Sequence, residues 1–285
     1  MPCQFRPTCP VVNLGMHYHC RMNRTAKLIL PVLEQPWQLE MDTDIAMTGN
    51  RFDERVAYDE KLLKQVAADE KPPTIRIWRN RQCLVATVKE SHKAGFKAAC
   101  TASALENWPV AIRRTGGTCF PHGPGVLNLA LVYPRPVDGE WLMEDSYTLL
   151  CAPLQRLLES YGLDAETGEV PGSFCDGKFN LQVGKRKLVG TSQRWKGNPA
   201  LAGSVILSHA CLLVDLDLLE ATARINQFYR SCGYSQQFEP YACATLRECV
   251  AGPGNPFSAD FVEQVTERLS NIVGDYFPGV TSRRQ

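Results

Sequence analysis

The sequence predicts an α+β fold: a mixed central β-sheet flanked by helices, with a small C-terminal helical part. Three observations carry this reading. Apolar residues recur at helical spacing in some segments and alternate in others. Strand-like segments are joined largely by short turns, which favours hairpins and a mixed sheet. No fixed-period repeat or low-complexity run interrupts them. The 285 residues suffice for one large domain with a small appendage.

Residues 1–25 read as an irregular leader, 26–250 as the main domain, and 251–285 as a linker with a C-terminal helix. Asp53 to Ala68 places Val56, Leu63, Val66 and Ala67 at helical spacing, and Pro72-Pro73 stops it. Thr74–Trp78 alternates Ile75 with Ile77 as a strand, and Cys83–Val88 is a second apolar run of strand length. Ala94–Asn107 reads as a helix ending before Pro109. Val110–Arg114 is a short strand entering Gly116-Gly117, and Leu127–Tyr133 is a strand closed by Pro134. Trp141–Tyr161 forms a long helix whose face is Tyr147, Leu150, Leu154, Leu157, Leu158 and Tyr161. Pro153 predicts a kink within it, and Gly162 suits its end. Phe179, Leu181 and Val183 alternate in a strand. Gly184-Lys-Arg turns it into a hairpin partner at Lys187–Arg194. Ser204–Asp215 is a strand and Leu218–Ser231 a helix ending at Gly233. Gly252-Pro-Gly-Asn-Pro then links to a last helix, Ser258–Val273.

Composition excludes several classes. A net charge of +1 speaks against a general nucleic-acid binder. Apolar runs such as Cys211–Val214 are far too short for a membrane span, and this one is followed at once by Asp215. Twelve cysteines without a secretory signal indicate free thiols in a reducing cytoplasm. Cys3, Cys9, His17, His19 and Cys20 have no standard zinc spacing, so no metal site is assigned. Met22 is a candidate alternative start.

The chemistry concentrates around Cys175. It sits in a small-residue loop between Gly172 and Gly177 and is followed by Lys178, Lys185, Arg186, Lys187, Arg194 and Lys196. Asp176 is the one acid among them. Positive charge favours thiolate and hence nucleophilicity. The segment reads Ser173-Phe174-Cys175, Gly177, Phe179-Asn180-Leu181, then Lys187-Leu188-Val189-Gly190-Thr191-Ser192-Gln193-Arg194.

This pattern resembles the biotin/lipoate protein ligase superfamily. Within it, the nearest resemblance is to the cysteine-dependent octanoyltransferases that move octanoyl groups from the glycine cleavage H protein to other lipoyl domains. The resemblance covers about residues 50–250 and implies the sheet-and-helix core shared with class II aminoacyl-tRNA synthetases and biotin synthetases. It implies Cys175 as the nucleophile and Lys187 as the contact to the acyl carbonyl. Asn180 departs from the aspartate usual there. Arg114, Thr115, Gly116 and Gly117 match the superfamily's Arg-Arg-x-Gly-Gly loop, and His122 and Asn128 follow in His-Gly-Pro-Gly-Val-Leu-Asn. With Asn180, Gly190 and Ser192 these are the expected acyl- and substrate-binding residues. His209 joins them either as a site base or as a core histidine. Cys232 is the competing nucleophile. Cys119 lies nearer the glycine loop but has no nucleophile motif.

The resemblance implies an acyltransferase of protein lipoylation, moving an octanoyl or lipoyl group to a lysine through an acyl-Cys175 thioester. No cofactor would be needed beyond the octanoate or lipoate transferred. The partners would be lipoyl-domain proteins, namely the glycine cleavage H protein and 2-oxoacid dehydrogenase E2 subunits, with acyl carrier protein as another donor. The basic stretch from Lys178 to Lys196 would steer docking. The alternatives are an ATP- and Mg-dependent lipoate-protein ligase, which shares the glycine loop and lysine, and a non-catalytic acyl- or lipoyl-domain binder. Biotin ligases carry a Gly-Arg-Gly-Arg-x-Gly loop that this sequence lacks.

Overall fold

The computed structural model describes residues 24–45, 52–136, 140–198, 203–250 and 260–284. The leader's cysteines and histidines, Met22 and the Gly252–Pro256 linker lie outside the described residues. In chain order the elements are α1 (Arg24–Leu33), β1 (Gln38–Asp42), α2 (Phe52–Ala67), β2 (Thr74–Arg79), β3 (Cys83–Thr87), α3 (Val88–Ser91), α4 (Phe96–Leu105), β4 (Val110–Arg113), β5 (Phe120–His122) and β6 (Val126–Pro134). There follow α5 (Met143–Glu159), β7 (Glu166–Thr167), β8 (Leu181–Val183), β9 (Arg186–Asn198), β10 (Gly203–Leu213), α6 (Leu218–Ser231), α7 (Leu246–Val250), α8 (Phe261–Tyr276) and β11 (Thr281–Arg284).

The expected mixed sheet is present. Eight strands run in the order β11-β1-β2-β6-β10-β9-β8-β7. The β11-β1-β2 edge is parallel and the remainder antiparallel. A second sheet, β4-β3-β5, lies beside it. The period-2 alternation of the strands divides the cores. Ile75, Ile77, Leu129, Leu131, Ile206 and Leu212 face a large core closed by α1, α5 and α8. The opposite face carries Ala130, Val132, Val205 and Leu207, which pack on Leu62, Leu63 and Val66 of α2. Farther along that face, Val126 and Leu213 join a core with the small sheet, α4 and α6.

Several elements depart from the sequence reading. Helix α1 and strand β1 were not expected, and Ile29, Val32, Leu33 and Trp37 from this region are buried in the main core. Beyond the expected last helix, β11 pairs with β1, Gln38 opposite Thr281. Helix α5 runs unbroken through Pro153. Phe179 is not part of β8; its ring stacks on Tyr147 at 4.4 Å between centroids.

Helix α2 is fixed to the sheet by a buried charge network. Arg76 on β2 reaches Asp59 at 2.7 Å and Asp42 at 2.6 Å, and Arg55 reaches Asp42 at 3.0 Å. Such a network specifies one placement of the helix more than it adds stability. It sets Asp59 on the sheet face that carries the site.

Candidate active site

Alternation gathers four of the expected site residues on one face of the large sheet. In β10, Leu207, His209 and Cys211 point away from the main core. Their register partners are Arg194, Ser192 and Gly190 on β9, and Val132, Ala130 and Asn128 on β6. The small sheet and α2 close over this face and leave a cleft. Its walls include Val56, Trp78, Val85, Phe120 and Leu207, and the Cys175 side chain opens into it. Thr115, Arg114, His122, Gly190, Ser192 and His209 also line it. Asn128 does not; its amide donates to the Trp78 carbonyl at 3.2 Å and ties β6 to β2.

Cys175 adopts a left-handed backbone conformation, φ 53°. This conformation is unfavourable for a non-glycine residue, so the surroundings must hold it. They do so on both sides. The Cys175 N–H donates to Thr118 Oγ1 at 2.7 Å. The Cys175 carbonyl accepts from Lys187 Nζ at 2.6 Å and from Asn180 Nδ2 at 3.1 Å. Lys187 Nζ also donates to the Phe174 carbonyl at 2.7 Å. The loop's one acid is occupied elsewhere: Asp176 Oδ1 accepts from the N–H groups of Val170 and Gly177.

Asn180 suits this geometry. Its Oδ1 accepts from the Thr191 N–H at 3.0 Å, so its NH₂ faces Cys175. A carboxylate there could not donate to a carbonyl. Gly190 serves Lys187: a Cβ at this position would stand 3.2 Å from Lys187 Nζ and 2.8 Å from the Phe120 ring. Gly117, at φ 98°, lies under the thiol, and a Cβ there would come within 2.3 Å of Cys175 Sγ. Ser192 donates to the Gly116 carbonyl at 3.0 Å and pins the glycine loop to β9.

Lys187 is therefore not aimed into the cleft as expected. It is fully buried, and its ammonium is taken up by the Phe174 and Cys175 carbonyls. Sequence reasoning named Arg114 and passed over its neighbour Arg113. Arg114 is exposed at the cleft mouth, while Arg113 is buried and touches the thiol. Arg113 Nη2 donates to Cys175 Sγ at 3.3 Å and to the Thr118 carbonyl at 2.9 Å, and Nη1 donates to Thr115 Oγ1 at 2.7 Å. The alternation of β4 contained this signal, because Ala111 and Arg113 point in and Ile112 points out.

Electrostatics single out one thiol. Burial pushes Cys175 up, but the charges of Arg113 and Lys187 and the hydrogen bonds of Thr118 and Arg113 outweigh it. The net position is below the ordinary cysteine value. The other eight of the nine described cysteines are all shifted up, with burial the largest cause. Cys232 is pushed up to about 11 by burial, with smaller contributions from Cys100 and Glu90, and it packs in the second core instead of lining the cleft. Cys119 is also fully buried there. Burial and Arg113 lower His122 to about 3, and burial, Arg113 and His122 lower His209 to about 3, so both rings are neutral at physiological pH. No group of three or more metal-ligating side chains occurs among the described residues.

Arg113→Met is expected to move the pH midpoint of Cys175 alkylation upward. Near neutral pH, alkylation should slow by about tenfold for every pH unit by which the midpoint rises. Iodoacetamide labelling followed by mass spectrometry measures this. An unchanged midpoint would show that the guanidinium does not stabilise the thiolate.

Three comparisons place these features among known proteins. The family model of the lipoyl protein ligase A/B catalytic domain matches residues 52–270. An octanoyl-[GcvH]:protein N-octanoyltransferase of Kyrpidia tusciae is 37% identical over 226 residues, covering 78% of this chain and 76% of its own length. An enzyme of the same name from Anoxybacillus flavithermus is 26% identical over 227 residues, covering 76% and 78%. Among solved structures, lipoate-protein ligase A bound with ATP superposes with a TM-score of 0.60 at 18% identity. The match covers 88% of this chain and 89% of that one, and it shows the shared fold.

Proposed function

The chain belongs to the lipoyl protein ligase A/B catalytic domain family and is an enzyme of lipoyl or octanoyl transfer, and we propose that it works as an octanoyltransferase through a thioester on Cys175. One observation carries the choice of mechanism: Cys175 is the one described cysteine shifted towards thiolate, and it faces the cleft.

The thiolate attacks the acyl carbonyl of the donor, an octanoylated lysine of the glycine cleavage H protein. A C–S bond forms, the C–N bond breaks, and the departing lysine amine takes up the proton that the thiol gave up. In the second half, the amine of an acceptor lysine on a lipoyl domain, such as that of an E2 subunit, attacks the thioester. A C–N bond forms, the C–S bond breaks, the thiolate is restored, and the ammonium proton passes to solvent. This divides one difficult exchange into two easier ones. Arg113 and Lys187 hold the thiolate as attacking and as leaving group. The apolar walls Val56, Val85, Phe120 and Leu207 suit an acyl chain.

The acceptor's approach runs along a neighbouring groove that shares Val56, Glu60, Arg113 and Arg114 with the cleft and is lined also by Ile112, Lys61 and Lys64. These cations, with the exposed Lys178 and Lys185 of the stretch from Lys178 to Lys196, suit an acidic partner. In that stretch Lys187 is buried, Arg186 pairs with Glu248 at 2.8 Å, and Arg194 faces Glu60 at 3.5 Å. No helix among the described residues is long and apolar enough to cross a membrane. The nine described cysteines are all free, which suits the reducing cytoplasm as the site of action.

Incubation with octanoylated H protein, without nucleotide, is expected to give a hydroxylamine-labile octanoyl adduct on Cys175. Octanoate should then pass to an apo lipoyl domain. Transfer that requires ATP and free octanoate and survives loss of the thiol would instead make the protein a ligase.

A further inference from the structure

A second set of side chains stands behind the guanidinium that holds the thiol. Thr115 Oγ1 accepts from Arg113 Nη1 at 2.7 Å and lies 2.9 Å from His209 Nε2. Arginine cannot accept a hydrogen bond, so the Thr115 hydroxyl oxygen accepts from it and still has its own proton to give. We assign His209 the tautomer with Nε2 unprotonated, in which it takes that proton. Nδ1 carries the proton towards Asp59 Oδ2, 3.9 Å away, a distance that orients the ring without a hydrogen bond. Asp59 is itself held by Arg76. The run of contacts crosses four parts of the fold: α2, β10, the glycine loop and β4.

We propose that His209 and Thr115 are positioning residues for the acyl-transfer reaction, forming a His209–Thr115–Arg113 chain that keeps the guanidinium on Cys175. This rests on the thioester reading given above. The chain has a competitor to exclude. Asp59 and Glu60 line the same cleft and would draw an unrestrained guanidinium away from the thiol. Thr115 gives Nη1 a neutral acceptor on the thiol side, and His209 fixes the rotamer in which the Thr115 lone pair faces Arg113. The charged and titratable groups facing this point from the elements packed around it are Arg113, Arg114, Lys187, His122, His209, Asp59, Glu60, Tyr147 and Cys211. His209 therefore acts through Arg113, without touching the reacting atoms.

The test uses Thr115→Val and His209→Leu, with Thr115→Ser and His209→Gln as conservative partners. The two readouts are the pH profile of Cys175 alkylation and the rate of Cys175 acylation by octanoyl-N-acetylcysteamine. Thr115→Val and His209→Leu should raise the alkylation midpoint and slow acylation about tenfold, the weight of one charge-assisted hydrogen bond. Serine keeps the hydroxyl, and glutamine can offer a carbonyl oxygen near the Nε2 position, so both should return most of the loss. In an Arg113→Met background, Thr115→Val should have no further effect. A wild-type midpoint in folded Thr115→Val, or an additive loss in the double variant, would overturn the proposal. Alkylation requires no acyl donor. A wild-type protein that alkylates normally but takes no octanoyl group would count against the thioester reading alone.

Discussion

Cys175→Ala is expected to lose transfer completely while keeping its fold. The thiol is buried in the second core above Gly117 and beside Arg113, but it is a single small atom, so alanine leaves only a minor void, and alanine tolerates φ 53° no worse than cysteine does. The holding bonds from Thr118, Lys187 and Asn180 all go to the Cys175 backbone, so they survive the change. What disappears is the covalent intermediate, and with it both half-reactions. Intact-mass measurement should find no acyl adduct, and circular dichroism should be unchanged. The matched control, Cys232→Ala, should keep most of the activity. A folded Cys175→Ala protein with full transfer would end the thioester mechanism; a dead but folded Cys232→Ala protein would move the nucleophile.

Lys187→Met should be the next most damaging change, slowing acylation of Cys175 on the order of 10²-fold. Methionine roughly keeps the length and apolar stem of the side chain, so the packing against Phe120 and Phe174 survives. The ammonium contributes in two ways. It stabilises the thiolate through space, and it grips the Phe174 and Cys175 carbonyls that set the left-handed turn. Burial lowers the pKa of Lys187 itself, an effect partly offset by the nearby Cys175 charge, so lysine and thiolate support each other's ionised forms. Quenched-flow mass spectrometry would follow acyl-enzyme formation, and alkylation would follow the thiolate. A variant acylated within twofold of wild type would show that the lysine is dispensable. Lys185→Ala, on the exposed turn between β8 and β9, should have little effect on acylation.

The cleft cysteine, Cys175, was legible in the sequence because its signals are local: a cysteine in a glycine-bearing loop at a fixed offset from a lysine and a Ser-Gln-Arg. The arginine that touches it was harder to see. Adding Arg113 to Arg114 needed the inward parity of β4, since the glycine-loop motif drew attention to Arg114 alone. The role of Lys187 was hidden for another reason. Only in three dimensions does a strand residue turn out to reach back to a loop twelve positions earlier. Helices α2, α5, α6 and α8 were readable because each carries a long amphipathic face. β1, β5, β7 and β11 are short, and several lie at sheet edges, where pairing partners distant in sequence decide the conformation more than propensity does.

The pairing of β11 with β1 bears on how the chain is made. The Thr281 N–H and hydroxyl both bond the Trp37 carbonyl, across 244 positions. As the polypeptide leaves the ribosome, β2, β6, β9 and β10 can assemble around the Cys175 loop first. β1 must wait with an open edge until the last strand emerges. Over that interval the nascent protein would need either a holding chaperone or rapid completion of synthesis. Premature termination between α7 and α8 would leave the cleft residues in place on a sheet whose far side keeps α1 and α5 but loses the cover of Phe261, Val265 and Leu269.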